Sequence, residues 1–518
     1  MARVLVIGAG HNGLVAGIHL AAAGLDVTVL EHAPRPGGAS SSTEATLPGF
    51  VHDHCAGFCP VTAASPAIRE LELERDGLEW VDPPVAMAHP FADGTAIALH
   101  RDVEATAASL DATAPGAGVA WSGAMATWVP RAQQLVDAIL SPLVALGPSL
   151  RLATSLRRDG VEWARRLLGS AEALGLDLFA GAERPTAWLA SSAQHSGLPP
   201  KTTASGAFGF LLQLLAHHRG WPFPRGGMGR LAGALVQRLE REGGRVRCDA
   251  HVDEILVRRG RVAGVRLAGG EDVPADAVLS TVTAGVLAAL VPDGALSPRL
   301  HRRLRVWRYG TAPFKVDYAL SGPVPWAAEE PRRAAVVQVA GELGELSRAA
   351  EASQRGEVPG RPALVVGQHT LHDPTRAPAG AHTLYVYAHV PPRYDVPDEE
   401  VAERIEAQLE RFAPGVRDRV LARAIRPPWR TEQENPSLVG GDLAGGSYEL
   451  DQQLVFRPMP EMCRYRTPVR GLYVAGASVH PGGAVHGMSG RAAARTLLRD
   501  RRLRPWRSPV RGRTDSPD

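Results

Sequence analysis

Three glycines near the start of the chain, Gly8, Gly10 and Gly13, fall in the spacing G-x-G-x-x-G, and an acidic residue, Glu31, follows about 20 residues after the second. The chemistry this set can do is recognition of a dinucleotide. The first glycine permits a sharp turn, the second lets backbone approach a pyrophosphate, and the third lets a helix pack closely on a strand. Glu31 would accept hydrogen bonds from ribose hydroxyls and repel a 2′-phosphate, which favours an adenosine without that phosphate. The spacing alone is a weak signal. Its context makes it strong: an apolar, β-branched run from Arg3 to Ile7, the turn, a helix from Asn12 to about Ala23, a closing Gly24 and a second strand from Asp26 to Leu30. The helix would aim its unpaired N–H groups and positive dipole end at the phosphates.

Just beyond Glu31, Arg35, Gly37 and Gly38 form R-x-G-G. This resembles the extension found in glutathione-reductase-like and amine-oxidase-like flavoproteins, which implies FAD rather than NAD. Near the other end, Gly471 to Gly476 reads as a strand running into a glycine turn. A glycine-rich loop and a helix, Arg491 to Leu498, follow. That order again makes an anion cradle at a helix N-terminus, and two cradles can hold one extended dinucleotide.

With both cradles in view, the sequence resembles the phytoene desaturase-like FAD oxidoreductases, and within them bacterial members of the pyridine nucleotide-disulphide oxidoreductase domain-containing protein 2-like branch. The stretches VIGAGHNGLVAG, RPGGAS, TLPGF, WPFPRGGMGRLAGAL, ENPSLVGGDLAGG and GLYVAGASVHPGGAVHGMSGRAAA carry the likeness. Spacing and resemblance together assign cofactor contacts to Gly8, Gly10, Asn12, Gly13, Glu31, His32, Arg35, Gly37, Gly38, Ala39, Val252, Gly476, Val485 and His486. By resemblance Val252 meets the adenine ring; a core strand position is the equal alternative.

The same resemblance puts the isoalloxazine ring near His480 and His486, and Asp53 and His54 follow R-x-G-G and can approach it. His54, His480 and His486 are therefore the candidates for moving a proton while the flavin takes a hydride. Each could instead hold loop backbone. A disulphide reductase is not indicated, because there is no C-x4-C pair and no second complete G-x-G-x-x-G. Cys55 and Cys59 stand at C-x3-C, which suits neither a metal knuckle nor a redox pair. Electrons would then leave to oxygen, a quinone or another carrier, or return to the substrate in an isomerisation.

The elements that must position these residues follow from length and pattern. At 518 residues the chain exceeds one hydrophobic core. The expected fold class is α/β: a Rossmann-type FAD-binding domain (glutathione-reductase/amine-oxidase-like) with an interleaved α+β substrate domain. The FAD domain is expected to be discontinuous over 1–85, 218–292 and 430–505. Segment 86–217 reads mainly helical, segment 293–429 reads as strands with a helix near Glu399 to Phe412, and 506–518 reads as a flexible tail. An apolar fraction of 45%, a charged fraction of 21% and a net charge of +3 describe a globular protein with no transmembrane run and no nucleic-acid partner. No signal peptide is visible and four cysteines make no disulfide scaffold, which points to the cytoplasm. No metal site is indicated.

Leu135 to Leu156 and Phe208 to Leu215 are apolar enough to line a lipophilic tunnel or to dip into a membrane surface, although a core face accounts for most such residues. Relatives that act on polyenes and isoprenoids imply a lipophilic substrate. An amine oxidase, a redox-neutral isomerase or saturase, and a non-catalytic lipid-escort protein are the competing readings. The oligomeric state is not legible.

Overall fold

A computed structural model describes residues 2–143, 145–157 and 159–503, so the expected tail at 506–518 lies outside the described residues. Strand β1 (Arg3–Ile7), helix α1 (His11–Ala22) and strand β2 (Asp26–Leu30) form the first unit. It opens a five-stranded, all-parallel sheet, whose order is Leu472–Val474, Ala277–Ser280, β1, β2, Arg245–Arg247. Val4, Leu5 and Val6 are all buried, as expected where helices cover both faces of a parallel sheet. α1 lies between helices Met228–Arg241 and Met488–Leu503. A Cβ on Gly17 would press on Val29 and Leu239, and one on Gly490 would run into the Asn12 carbonyl, so glycine sets the packing distance here. This is the Rossmann-type architecture.

A second, seven-stranded sheet is mixed. Its order is Val420–Arg426, Ala312–Leu320, His382–Val390, Leu364–Gly367, Val336–Val339, Val85–Pro90, Ala96–His100. The segment expected to be mainly helical, 86–217, thus opens with a hairpin that completes this sheet, and becomes helical from Val103. Alternation sorts the two faces. Phe314, Val316, Leu384 and Val386 pack with Val401, Ile405, Leu409 and Phe412 of helix Asp398–Phe412. The opposite face carries Lys315, Asp317, Tyr385 and Tyr387. Helices from Val103 to Arg219 enclose an aromatic core of Trp121, Trp128, Trp163, Trp188 and Phe210.

The two sheets are tied by a buried charge network. Arg376 donates to Asp53 Oδ2 at 2.6 Å, to Asp373 Oδ2 at 3.1 Å and to the Pro224 carbonyl at 2.9 Å. Asp53 also accepts from Ser42 Oγ and from the Met228 N–H, and Asp373 accepts from the Gly226 N–H. Three segments distant in sequence therefore converge on one guanidinium. Burial works against the charge on Asp53, but Arg376, first among its partners, and the Ser42 hydroxyl help hold the carboxyl below the ordinary carboxylate range. A depressed native pKa means the stabilisation is complete above about pH 4 and is lost as pH falls through the native value.

Replacing Arg376 by Met strands two buried carboxylates, and denaturant unfolding at pH 7 is expected to show a loss of about 3–5 kcal/mol. The deficit should shrink on acidification, when the carboxylates protonate. An unfolding curve matching that of the unmodified protein would show that the network does not hold the sheets together.

Candidate cofactor and active site

At the end of β1 the chain turns on Gly8, whose φ is +96° and whose N–H donates to the Leu30 carbonyl at 2.8 Å. A Cβ on Gly13 would collide with the Gly8 carbonyl, so the third glycine is needed for α1 to start where it does. Gly10 differs: its φ of −70° suits any residue, and a Cβ there meets nothing within 4 Å. The protein leaves open space at this glycine, as a pyrophosphate beside the helix N-terminus requires.

R-x-G-G folds against this turn. Gly37 has φ +127° and donates to the Ala9 carbonyl at 2.9 Å, and it forms an isolated bridge with Gly10. Gly38 lies beside the Gly10 Cα. Arg35 is exposed, and its guanidinium has no partner among the described residues. Ala39 accepts from the Ala56 N–H, and the Ser40 hydroxyl is buried without a partner among the described residues. Glu31 accepts from the Ala9 N–H at 2.7 Å and from the Ala33 N–H at 3.0 Å. These bonds orient its carboxylate and leave acceptor capacity for ribose hydroxyls. Val252 is buried just past Ala250, whose N–H donates to the Glu31 carbonyl at 2.8 Å. His32 is exposed and sits 3.0 Å from His251.

The second cradle meets the first through side chains. The Gly476 N–H donates to Ser489 Oγ at 3.0 Å, and Ser489 Oγ donates to Asn12 Oδ1 at 2.8 Å. The Asn12 side chain is thereby used to join the cradles, with its Nδ2 turned to His11 Nε2. The carbonyls of Val485 and His486 accept from Thr62 and Ser65. Gly10, Gly37, Gly38, Glu31, Arg35, Gly476 and the 485–486 loop are thus brought together. The open space at Gly10, the uncommitted Arg35 and the orphaned Ser40 hydroxyl fit a large anionic dinucleotide such as FAD.

The three histidines have distinct surroundings. His486 is buried, accepts from the Met488 N–H at its Nδ1 and donates to the Gly482 carbonyl through Nε2. Both nitrogens hold backbone, and burial beside His11 pushes its pKa down to about 3. His480 donates to the Ser141 carbonyl at 2.9 Å, pinning the C-terminal cradle to the helical region. His54 is separate from both. It contacts Thr43 at 3.0 Å and Arg426 at 3.4 Å, and burial with neighbouring cations pushes it down to about 4.

From the first cradle, residues 52–58 run onto the polar face of the seven-stranded sheet, for which the sequence pattern indicates only Asp53 and His54. His52 Nδ1 lies 3.4 Å from Asp317, which pairs with Lys315. Tyr385 donates to the Cys55 carbonyl, and Phe58 stacks on His369 at 4.4 Å. Strand register sets Lys315 opposite Tyr387 and Arg426, and Asp317 opposite Tyr385. His195 donates from Nδ1 to the Tyr387 oxygen at 3.0 Å while its Nε2 accepts from Gln338, which leaves the Tyr387 O–H free to turn towards the face. Arg426 is bound by Glu434. Burial raises the Cys55 and Cys59 thiols to about 11 and 12, so neither is a reactive thiolate. A local signal for this face did exist: Lys315 and Asp317 are two charges inside an otherwise apolar nine-residue strand.

Comparison with known proteins adds the lineage. The family model described as flavin containing amine oxidoreductase matches residues 13–498. The chain is 28% identical to pyridine nucleotide-disulfide oxidoreductase domain-containing protein 2 of Rattus norvegicus, covering 96% of this chain and 93% of the relative. It is 28% identical to hydroxyneurosporene desaturase of Cereibacter sphaeroides, covering 96% and 98%. With the neurosporene-forming phytoene desaturase of Rhodobacter capsulatus it shares 28% identity over 95% and 92%. Among solved structures, an oxidoreductase from Methanosarcina mazei superposes with a TM-score of 0.63 at 17% identity, over 96% of this chain and all of that one. Putrescine oxidase bound to putrescine superposes at 0.58 and 16% identity, over 96% and 98%; both show a shared fold.

The two glycines of the first turn separate folding from cofactor binding. Gly10→Ala should leave the apoprotein within about 1 kcal/mol of the unmodified stability while raising the FAD Kd about tenfold or more through overpacking against the phosphates. Gly13→Ala should damage the apoprotein itself. Titrating FAD into apoprotein and measuring apoprotein Tm checks both, and full FAD affinity in the Gly10 variant would remove the phosphate from this turn.

Proposed function

The chain belongs to the flavin containing amine oxidoreductase family and is an FAD-dependent oxidoreductase, and from that premise we propose that it takes hydride from a carbon of an uncharged, lipophilic substrate, desaturating or oxidising it. We assign reoxidation to oxygen or a quinone. The observation that carries this reading is that the charges on the sheet face beside the cradles are paired: Lys315 with Asp317, and Arg426 with Glu434. His195, His369 and His389 add none. Burial pushes His195 and His389 down to about 4 and His369 to about 3, so all are neutral at pH 7.

When bound, FAD supplies the two-electron acceptor. The residues of the chain position the substrate and keep water and unbalanced charge away from it. Burial holds the Tyr387 phenol neutral, so its hydroxyl offers a hydrogen bond rather than a charge. Relatives over nearly the full length include proteins named hydroxyneurosporene desaturase, phytoene desaturase and all-trans-zeta-carotene desaturase, whose names describe hydrocarbon-like substrates.

The geometry disfavours an amine substrate. Tyr385 and Tyr387 stand nearly perpendicular with ring centroids 5.8 Å apart, an arrangement that could cage an ammonium. The Lys315 ammonium, however, already lies 4.5 Å over the Tyr385 ring. A second cation there would face repulsion with no free carboxylate to offset it.

Anaerobic mixing with polyenes, isoprenoids or acyl chains is expected to bleach the flavin band, while primary amines leave it unchanged and release no peroxide. Peroxide release from an amine would overturn the assignment.

Because burial holds His54, His195, His369 and His389 neutral, the rate of flavin reduction should also show no limb near the ordinary histidine value of about 6.5 from these rings. A stopped-flow pH profile with a clear inflection there would mean that a histidine titrates in the reaction.

A further inference from the structure

The apolar stretches singled out in the sequence, 135–156 and 208–215, are buried except over one helix. In helix Ser205–Arg219, Phe210, Leu214 and Leu215 are buried in the core. Leu135, Val136 and Leu140 are likewise buried in helix Ala132–Leu140. In helix Leu146–Leu156, by contrast, the only buried side chain is Leu156. Leu146 is 73% exposed and Leu150 64%, and together with Ala153 they share one face at helical spacing, while the exposed Arg157 follows as the C-cap. The next helix, Asp159–Leu168, buries only Trp163 and leaves Val161 80% exposed.

This surface is held in place rather than frayed. Arg131 donates to the Ser155 carbonyl through Nε and Nη2, both at 3.2 Å, and to the Thr127 carbonyl at 2.6 Å. On this helix and its cap the charges are positive: Arg151 and Arg157 are exposed, and the sequence has no acidic residue between Asp137 and Asp159. On the following helix Asp159 is exposed at the first position, and Glu162 is bound by Arg165 and Arg166. The surface also adjoins the cofactor site, since Ser141 accepts from His480 in the C-terminal cradle. Gly482, two residues on, packs beside Arg457, and Arg457 follows the exposed Leu454, Val455 and Phe456.

We propose that helix Leu146–Leu156 docks in the plane of an anionic lipid surface, with Leu146 and Leu150 entering the acyl boundary and Arg151 and Arg157 at the headgroups. An exposed apolar face flanked by cations, on a helix too short to span, is the chemistry of an interfacial helix. Among the described residues no helix is long and apolar enough to cross a membrane. The docking would set the cradle junction at His480 towards the lipid. It stands on the surface itself and does not depend on the substrate assignment, which flavin bleaching with detergent-dispersed substrate tests separately.

The test is flotation of the full-chain holoprotein with phosphatidylglycerol or phosphatidylcholine vesicles. Binding is expected to favour phosphatidylglycerol and to weaken with salt. The L146E/L150E variant should lose affinity on the order of tenfold or more with an unchanged flavin spectrum, and R151E/R157E should lose the preference for anionic lipid by a similar factor. The proposal is overturned if the unmodified protein does not float, if either variant binds as well as it does, or if the protein is a dimer that L146E/L150E makes monomeric, which would assign the face to a second copy.

Discussion

One buried chain of hydrogen bonds, from the Gly476 N–H to Ser489 Oγ and from Ser489 Oγ to Asn12 Oδ1, brings the two ends of the molecule together. Each bond contributes only about 1 kcal/mol net, but leaving a buried member unpaired costs about 1–3 kcal/mol. The pairing therefore works as a fit condition as much as an attraction. The parallel sheet enforces the same closure: Leu472–Val474 lies beside Ala277–Ser280, which lies beside β1. Neither cradle is complete until residues separated by most of the chain have met, so the cofactor site is a non-local product of the fold. His11 and His486 belong to this closure. They pack edge to face at 6.3 Å, and burial keeps both neutral.

Arg376 does for the two sheets what Asn12 does for the two cradles. Its partners come from the strand pair after R-x-G-G, from the loop before helix Met228–Arg241 and from its own turn. Because Asp53 also caps the Met228 N–H, the connection that returns the chain to the FAD domain and the face that receives residues 52–58 are fixed by the same carboxylate. A network of this kind resists partial disruption, since removing one member leaves charges buried without compensation. The position of the polar sheet face relative to the cradles follows from it.

The first cradle was legible because its information is local. The strands Arg3–Ile7 and Asp26–Leu30 lie where their pattern puts them, and α1 starts one residue early, at His11 rather than Asn12, with Gly10 as its N-cap. The flavin-type extension was legible for the same reason. The hairpin Val85–Pro90 with Ala96–His100 was not, because its partner strand Val336–Val339 is more than two hundred residues away and its short apolar runs have no period of their own. Lys315, Asp317, Tyr385 and Tyr387 were missed as a group for a related reason. Only the pairing of Ala312–Leu320 with His382–Val390 puts them side by side, and strand register is a tertiary fact. The exposure of Leu146 and Leu150 was equally hidden, since hydrophobicity read along a sequence does not distinguish a core face from an uncovered one.

The histidines show why residue type alone misleads about chemistry. A histidine near a flavin suggests proton transfer because its ordinary pKa is close to neutral. Burial removes that property: at about 3 for His486 and about 4 for His54, the ring is a fixed pair of hydrogen-bonding atoms. The same burial acts on Asp317 but is overcome there by Lys315 and His52, which hold its carboxyl down to about 2. At physiological pH His54 and His486 are thus neutral by desolvation, and Asp317 is charged by pairing. Such a surface does not add or remove protons as its environment shifts. What it provides is a region of balanced charge and defined donors, in which an uncharged molecule loses little by leaving lipid and an ammonium would lose its hydration with no carboxylate to replace it.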